Sequence, residues 1–238
     1  MSKRIGLSLL YSLILGTLPS ALAQSESLVG VALNCTSGEF YTRDHATERS
    51  KRLNLLRETA QNTGVNTLLS GLLGDGFAVD ANMGALHAIA YGYGAEGSLQ
   101  CIDVLAEMPN FDPNLKSTQG ATPLHYAVDS GNFEIARYLL SKYRVNSALT
   151  DNEGNNFLHI LFSARITYLT RSGKDEAKMY SESSLDASVQ FVDFVLPKIP
   201  AQLLLQRNSR GITVIDMARA ERLWPMHIIT KLEKKAGQ

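Results

Sequence analysis

The residues best suited to chemistry in this chain are three histidines that recur at a nearly regular spacing. His87 and His125 are 38 residues apart, His125 and His159 are 34 apart, and Asp216 holds the corresponding place 57 residues later. A histidine can carry protons or bind a metal. Either role needs further groups that converge on one point, and the sequence suggests none. Self-similarity at a period of about 20–50 residues is typical of stacked repeats instead.

The two cysteines, Cys35 and Cys101, are the other reactive candidates. Neither belongs to a CxxC pair or to a spacing typical of metal ligands. In an oxidising compartment they could pair in a disulfide. Cys101 could equally remain a buried free thiol within a helix. The sequence leaves both alternatives open.

The clearest repeat surrounds His125. Gly120 suits a tight turn that needs a positive φ, Thr122 is a good N-cap, and Pro123 suits the first helical position. The pattern predicts a short helix from Pro123, ended by Ser130-Gly131-Asn132. A second helix is predicted over Phe133–Lys142, with apolar residues on one face. A turn, a short helix, a turn and a longer helix form one structural unit.

This unit resembles an ankyrin repeat. The match includes Thr122-Pro123-Leu124-His125 with Ala127, the later Gly131, and the Leu139-Leu140 pair. The resemblance implies an all-α solenoid of helix-turn-helix units with short hairpin loops. It also implies that the histidines bond the helix cap and nearby backbone. The repeat-motif residues across the chain are Leu86, His87, Thr122, Pro123, Leu124, His125, Leu158, His159, Thr213 and Asp216.

The other repeats are more divergent. Ala85–Ala88 is predicted to begin the first helix of the earliest clear unit, with a shortened hairpin before it and a second helix over Ser98–Met108. Asn156 and Thr213 replace Thr122 as helix caps, and Asp216 can reach back as in a capping box. A polar insertion over residues 165–184 lengthens the third repeat, as stacked repeats tolerate. We expect about four repeats over residues 81–238.

Residues 24–80 lack the motif and are expected to form an irregular segment followed by a helical N-terminal cap. Gln24–Phe40 gives little local signal and is predicted to be irregular. Ala46–Ala60 and Val65–Leu73 are predicted as two helices that shield the first repeat. At the other end, a helix over Pro225–Lys235 is expected to close the array.

The first 23 residues have the pattern of a cleaved secretory signal peptide. Lys3-Arg4 precedes an apolar run, which ends in Ala21-Leu22-Ala23. We therefore expect a periplasmic or secreted protein with no membrane insertion after cleavage, and family habit suggests a bacterial one. Cleavage leaves 23 − 2 = 21 basic against 23 acidic residues, a charge near −2. That balance gives no basic face for nucleic acid.

The resemblance implies a module that binds a protein partner at its hairpin tips and on the exposed positions of its first helices. We expect no catalytic, cofactor-binding or metal-binding residues. Two alternatives remain: a metal-binding protein or enzyme that uses residues 165–184, and a structural subunit of an envelope complex. The predicted protein-binding residues are Thr118, Gln119, Ala121, Asp129, Ser130, Asn152, Glu153, Asn155, Ser209 and Arg210.

Overall fold

A computed structural model describes residues 27–36, 45–73, 77–92, 98–163, 176–221 and 224–238. The predicted signal peptide, residues 1–23, lies outside the described residues. The helices are α1 (Leu28–Thr36), α2 (His45–Thr63), α3 (Ala85–Tyr91), α4 (Ser98–Ala106), α5 (Pro123–Asp129), α6 (Phe133–Lys142), α7 (residues 157–163), α8 (Glu176–Val195), α9 (Gln202–Leu205), α10 (Val214–Ala220) and α11 (Met226–Ala236). Two strands, β1 (Leu69–Leu73) and β2 (Phe77–Met83), pair antiparallel.

The helices stack in two rows, which gives a solenoid. The first helices α1, α3 and α5 contact one another in order, and the second helices α2, α4, α6 and α8 do the same. The first helices α3 and α5 are short because a capping residue starts each and a glycine or polar residue ends it within two turns. Apolar side chains between the rows form one continuous core. The largest fully buried members are Leu28, Leu56, Met83, Ile89, Ile102, Leu105, Leu124, Ile135, Leu139, Phe157, Phe162 and Phe191.

The clearest repeat has the predicted architecture. Pro123 occupies the first turn of α5 after Thr122, and α6 covers the predicted range. Gly131, with φ of 76°, allows the chain to reverse between the two helices. Asn132 then donates from Nδ2 to the Ala90 carbonyl at 2.9 Å and ties this repeat to the previous one.

The N-terminal cap is a helix pair, but not the predicted one. The helix expected over Ala46–Ala60 is present within α2, whereas its partner is α1. The prediction that Gln24–Phe40 is irregular was therefore wrong for Leu28–Thr36. The side chains of α1 that can be described are buried or half-buried. The sequence of this helix therefore lacks the polar face of an amphipathic helix.

The prediction of a helix over Val65–Leu73 was also wrong. Gly64, with φ of 83°, ends α2, and the following residues form β1 of a hairpin. Leu69 pairs with Met83 and Leu73 pairs with Phe77. A short apolar run fits either a strand or a buried helix, and only its pairing partner decides between them.

The hairpin before α3 is thus lengthened rather than shortened. It stands where the later repeats have a turn of five residues, and β1 lies against α1. The boundary expected after residue 80 falls within β2.

The third repeat combines α7 with the long helix α8. Phe191 of α8 packs against Phe157 and stacks on Phe133 of α6, with ring centroids 6.4 and 4.9 Å away. Residues 165–175 of the predicted insertion lie outside the described residues. Residues 176–184 form the first half of α8, so this part of the insertion lengthens a second helix.

The last helix pair is α10 and α11. The helix predicted over Pro225–Lys235 is confirmed as Met226–Ala236. Arg219 of α10 pairs with Glu233 of α11 at 2.7 Å, and Lys231 pairs with Asp193 of α8 at 2.6 Å. The exposed residues of α11 are polar apart from Met226, a composition typical of a capping helix.

A disulfide joins Cys35 of α1 to Cys101 of α4. Their Cα atoms are 6.3 Å apart, and 66 positions separate them in the sequence. Both residues are buried. The bond therefore fastens the N-terminal helix pair to the second helix of the next repeat.

No helix in the described part of the chain has both the length and the apolar character needed to cross a membrane.

Candidate protein-interaction surface

Three equivalent turns form the edge of the solenoid. They span residues 117–121, 151–155 and 208–212. In each, the first residue donates its backbone N–H to the carbonyl of the fifth, at 2.9, 2.9 and 3.0 Å. The fourth residue is a glycine with φ between 74° and 77°. The turn thus places its second and third residues at an exposed tip.

The tips bond to one another in a row. The Asn152 backbone N–H donates to the Gln119 carbonyl at 3.0 Å, and that of Ser209 donates to the Glu153 carbonyl at 2.8 Å. The Asn152 side chain also donates to the Thr118 carbonyl at 3.0 Å. The tip of each repeat is therefore held in register by its neighbour.

Replacing Gly120 by alanine should destabilise the fold more than replacing Gly131 by alanine. Both have a positive φ, so an added Cβ costs about 1 kcal/mol at either site. At Gly120, that Cβ would also lie 2.4 Å from Asn152 Oδ1 and 2.8 Å from its backbone N, whereas Gly131 has open space. We expect losses of about 2 and about 1 kcal/mol in urea unfolding, respectively. Equal losses would show that the tips do not pack as described.

The three histidines form a hydrogen-bonded ladder behind the turns. Each accepts at Nδ1 from the backbone N–H of its own helix cap: Gly84 at 3.0 Å, Thr122 at 3.2 Å and Asn156 at 3.2 Å. The opposite nitrogen lies 3.2, 3.1 and 3.1 Å from the carbonyl of Ala121, Asn155 and Ile212 in the following turn. We infer that each ring is neutral, with its proton on Nε2. The predicted structural role of these histidines is confirmed.

Burial holds the histidines in the neutral form. Desolvation lowers the pKa of His87 to about 4, although its bond to the Ala121 carbonyl acts in the opposite direction. Desolvation also lowers the pKa of His125 and of His159. A second proton would have to sit on Nδ1, which already faces a backbone N–H donor. These rings are therefore unsuited to act as bases near neutral pH.

Asp216 completes the ladder as predicted. Its Oδ2 accepts from the Thr213 backbone N–H at 3.1 Å, and its own N–H donates to Thr213 Oγ1 at 3.1 Å. Thr213 and Asp216 thus form a reciprocal capping box at the start of α10.

The predicted surface residues divide into two groups. Gln119, Glu153 and Arg210 project exposed side chains from successive tips. Asp129 is exposed at the end of α5, and Thr118 is exposed beside Gln119. These are the predicted residues that a partner could reach most directly.

The other predicted residues mainly serve the fold. Asn155 is buried, with 7% of its surface exposed, and it bonds Asp151 and Asn208. Ser130 Oγ donates to the Tyr126 carbonyl at 2.8 Å. Asn152 and Ser209 are exposed, but their side chains bond the neighbouring tip, and the Ala121 carbonyl faces His87.

Sequence reasoning missed Tyr91 and Tyr126 beside Asp129. The Tyr91 ring lies edge-on to the Tyr126 ring at 6.1 Å between centroids. Tyr91 follows His87 by four residues, as Asp129 follows His125. Because Tyr91 and Asp129 hold the same position in successive repeats, the sequence could have placed Tyr91 on the same face as Asp129.

The site contains no catalytic arrangement that its geometry supports. Among the described residues, no three His, Cys, Asp or Glu side chains could together hold a metal ion. The exposed groups at the tips are an amide, a carboxylate and a guanidinium, each on a different repeat. Such a row suits the recognition of an extended partner more than chemistry at one point.

The comparison with known families agrees with this geometry. A family model described as ankyrin repeats, in three copies, matches residues 56–151. The match runs from within α2 to the start of the turn after α6. Beyond it, Asn156, His159 and Thr213 repeat the same caps and bonds. Residues 56–151 therefore match ankyrin repeats, and the fold of the described residues is an ankyrin-repeat solenoid.

Proposed function

We propose that this protein is an exported, non-catalytic adaptor that binds a protein partner along its hairpin tips and first helices. The observation that carries the proposal is the row of exposed side chains held in fixed register by the turns. Ankyrin repeats are generally protein interaction modules. A rigid scaffold with chemically varied tips binds without a large ordering cost.

Export rests on two separate observations. The first 23 residues have the composition of a secretory signal peptide. The disulfide between Cys35 and Cys101 suits an oxidising compartment such as the periplasm or the extracellular space. Mass spectrometry of the protein from fractionated cells tests this proposal. A mature chain that begins at Gln24 and contains no free thiol supports it, and an intact Met1 in the cytosol contradicts it.

Partner binding should be lost when the tips are changed together. In the variant Gln119→Ala, Glu153→Ala, Arg210→Ala, three exposed side chains disappear while the backbone bonds of the turns remain, and the long Asn155 Nδ2 to Glu153 Oε2 bond of 3.4 Å is lost. Cross-linked affinity capture from the native compartment should yield a partner with the wild-type protein. We expect at least about tenfold less of it with the variant.

A control variant matches this one in residue types. Gln190→Ala, Glu134→Ala, Arg144→Ala removes one exposed amide, carboxylate and guanidinium from the second-helix side of the solenoid. It should capture the partner as the wild type does. Capture of no specific protein by the wild type contradicts the adaptor function. Equal capture by both variants and the wild type contradicts the proposed face.

A further inference from the structure

Tyr91, Tyr126 and Asp129 form one patch on the first-helix face, which we call the tyrosine–aspartate patch. Ser130 Oγ donates to the Ala90 carbonyl at 3.1 Å, so the ends of α5 and α3 are in contact. Tyr126 lies one turn before Asp129 on α5, and its ring meets that of Tyr91. Burial raises the pKa of the Tyr126 hydroxyl, its hydrogen bond to Ser117 acts in the opposite direction, and the Asp129 carboxylate adds a smaller increase.

Asp129 stands where the fold itself gains little from a carboxylate. It is the last residue of α5, and the C-terminal end of a helix carries partial negative charge that disfavours an anion. Its side chain is exposed. Across the described ranges, no lysine, arginine or histidine forms an ion pair with it.

The surroundings of this carboxylate differ from those of an ordinary surface group. The neighbouring helices displace enough water to raise the pKa of Asp129, although solvent still reaches the side chain. A cation that binds there would be screened less than at an open surface. The patch therefore offers negative charge at a partly desolvated position on the first-helix face.

The rings of Tyr91 and Tyr126 favour arginine over lysine as the ligand. An arginine side chain has a planar guanidinium that can bond a carboxylate through two N–H groups and can also stack on an aromatic ring. A lysine can pair with the carboxylate but provides no planar group for stacking. Tyr91 is half-buried, and it holds the position in its repeat that Asp129 holds in the next repeat.

We propose that the tyrosine–aspartate patch receives an arginine side chain of the protein partner, an inference that rests on the adaptor function proposed above. The guanidinium bonds the Asp129 carboxylate, and the stem or plane of the side chain lies against Tyr91. The exposed side chains of this surface differ in chemical character from repeat to repeat. The contact would make the surface prefer a partner that carries an arginine at this position.

Two synthetic heptapeptides test the contact without a known partner. One is Gly-Gly-Ser-Arg-Ser-Gly-Gly, and the other carries citrulline, an uncharged analogue of arginine, at the centre. Titration of each into the full-length mature protein is followed by NMR at constant ionic strength. We expect the arginine peptide to shift the ring signals of Tyr91 and Tyr126, and the citrulline peptide to bind about fivefold more weakly.

Two variants make the result specific to the patch. Asp129→Asn should weaken binding of the arginine peptide about fivefold, whereas Glu134→Gln, which removes the same charge from an exposed site on α6, should not. Unchanged binding by Asp129→Asn, equal loss in both variants, or equal binding of both peptides would overturn the proposal. Because the peptides need no native partner, this result is separate from the capture experiment. Capture that succeeds while the peptide test fails leaves the adaptor function standing.

Discussion

Removing the disulfide should lower the free energy of unfolding by about 4 kcal/mol. The bond between Cys35 and Cys101 spans 66 positions, and the chain-entropy model gives about this value for a loop of that length. The double variant Cys35→Ala, Cys101→Ala is preferable to serine because both positions are buried and would leave a hydroxyl without water. Urea unfolding of the oxidised wild type and the variant provides the measurement.

The loss of stability should appear first at the N-terminal end of the solenoid. The bond holds α1 against α4, so hydrogen exchange should quicken in α1 well before it changes in α10. Wild-type protein reduced with dithiothreitol is the matched control and should behave as the alanine variant does. A reduced protein as stable as the oxidised one, with both thiols shown to be free, would contradict this account.

The second large effect is a loss of stability in mild acid. In the unfolded chain a histidine titrates near pH 6.5, whereas burial lowers the pKa of His87 in the folded state to about 4. Below pH 6.5 the unfolded state therefore binds more protons than the folded state. The stabilisation is complete above that pH and is lost as the pH falls towards 4. For His87 alone, the loss between pH 7.5 and pH 5 is about 2 kcal/mol.

Other groups affect this pH dependence in known directions. The pKa of His125 and of His159 is also lowered by burial, so both add to the loss in the same range. Partial burial opposes ionisation of Asp103, but hydrogen bonds from Lys142, Tyr138 and Tyr143 outweigh it and lower its pKa. That carboxylate costs stability only in stronger acid, below its unfolded value. The raised pKa of Asp129 acts in the opposite direction to the histidines.

Urea unfolding at several pH values between 7.5 and 4 measures the histidine effect. The variant His87→Gln cannot titrate in this range, so its stability should depend less steeply on pH, whatever its stability at neutral pH. A slope unchanged by this substitution, or a wild-type stability that rises on acidification, would show that His87 is not held neutral in the fold.

Local sequence was sufficient to predict the ends of the helices wherever a repeat kept its capping and turn residues. Thr122 with Pro123 fixed the start of α5, and Gly131 fixed its end, because each requirement involves atoms only a few residues apart. The same reasoning identified Asn156 and Asp216 as substitutes in the later repeats. The role of the histidines was implied by the resemblance to ankyrin repeats.

Within residues 24–83, only the helix over Ala46–Ala60 could be predicted from local sequence. The apolar run before Leu73 is too short to show whether its period is that of a helix or a strand, and its pairing with β2 decided the matter. Helix α1 is buried on almost every side that the structure describes, so its sequence has no amphipathic pattern. The partner of α2 was therefore predicted incorrectly.

The surface residues were likewise predicted only in part from local sequence. The sequence indicated which residues occupy the tips, but it could not show that Asn155 points into the protein while Glu153 points out. That difference depends on Asp151 and on Asn208, which lies 53 positions later in the chain. The contact between Tyr91 and Tyr126 likewise joins two repeats.

The sequence by itself thus determined the repeating unit and its helix caps, including the bond from each histidine to its own cap, because short-range hydrogen bonds and backbone preferences specify them. Only the tertiary structure decided the partner of α2, the hairpin before α3 and the pairing of the cysteines. It also decided which tip side chains remain available to a partner. Each of these depends on contacts between residues that are distant in the chain, whose geometry no local pattern encodes.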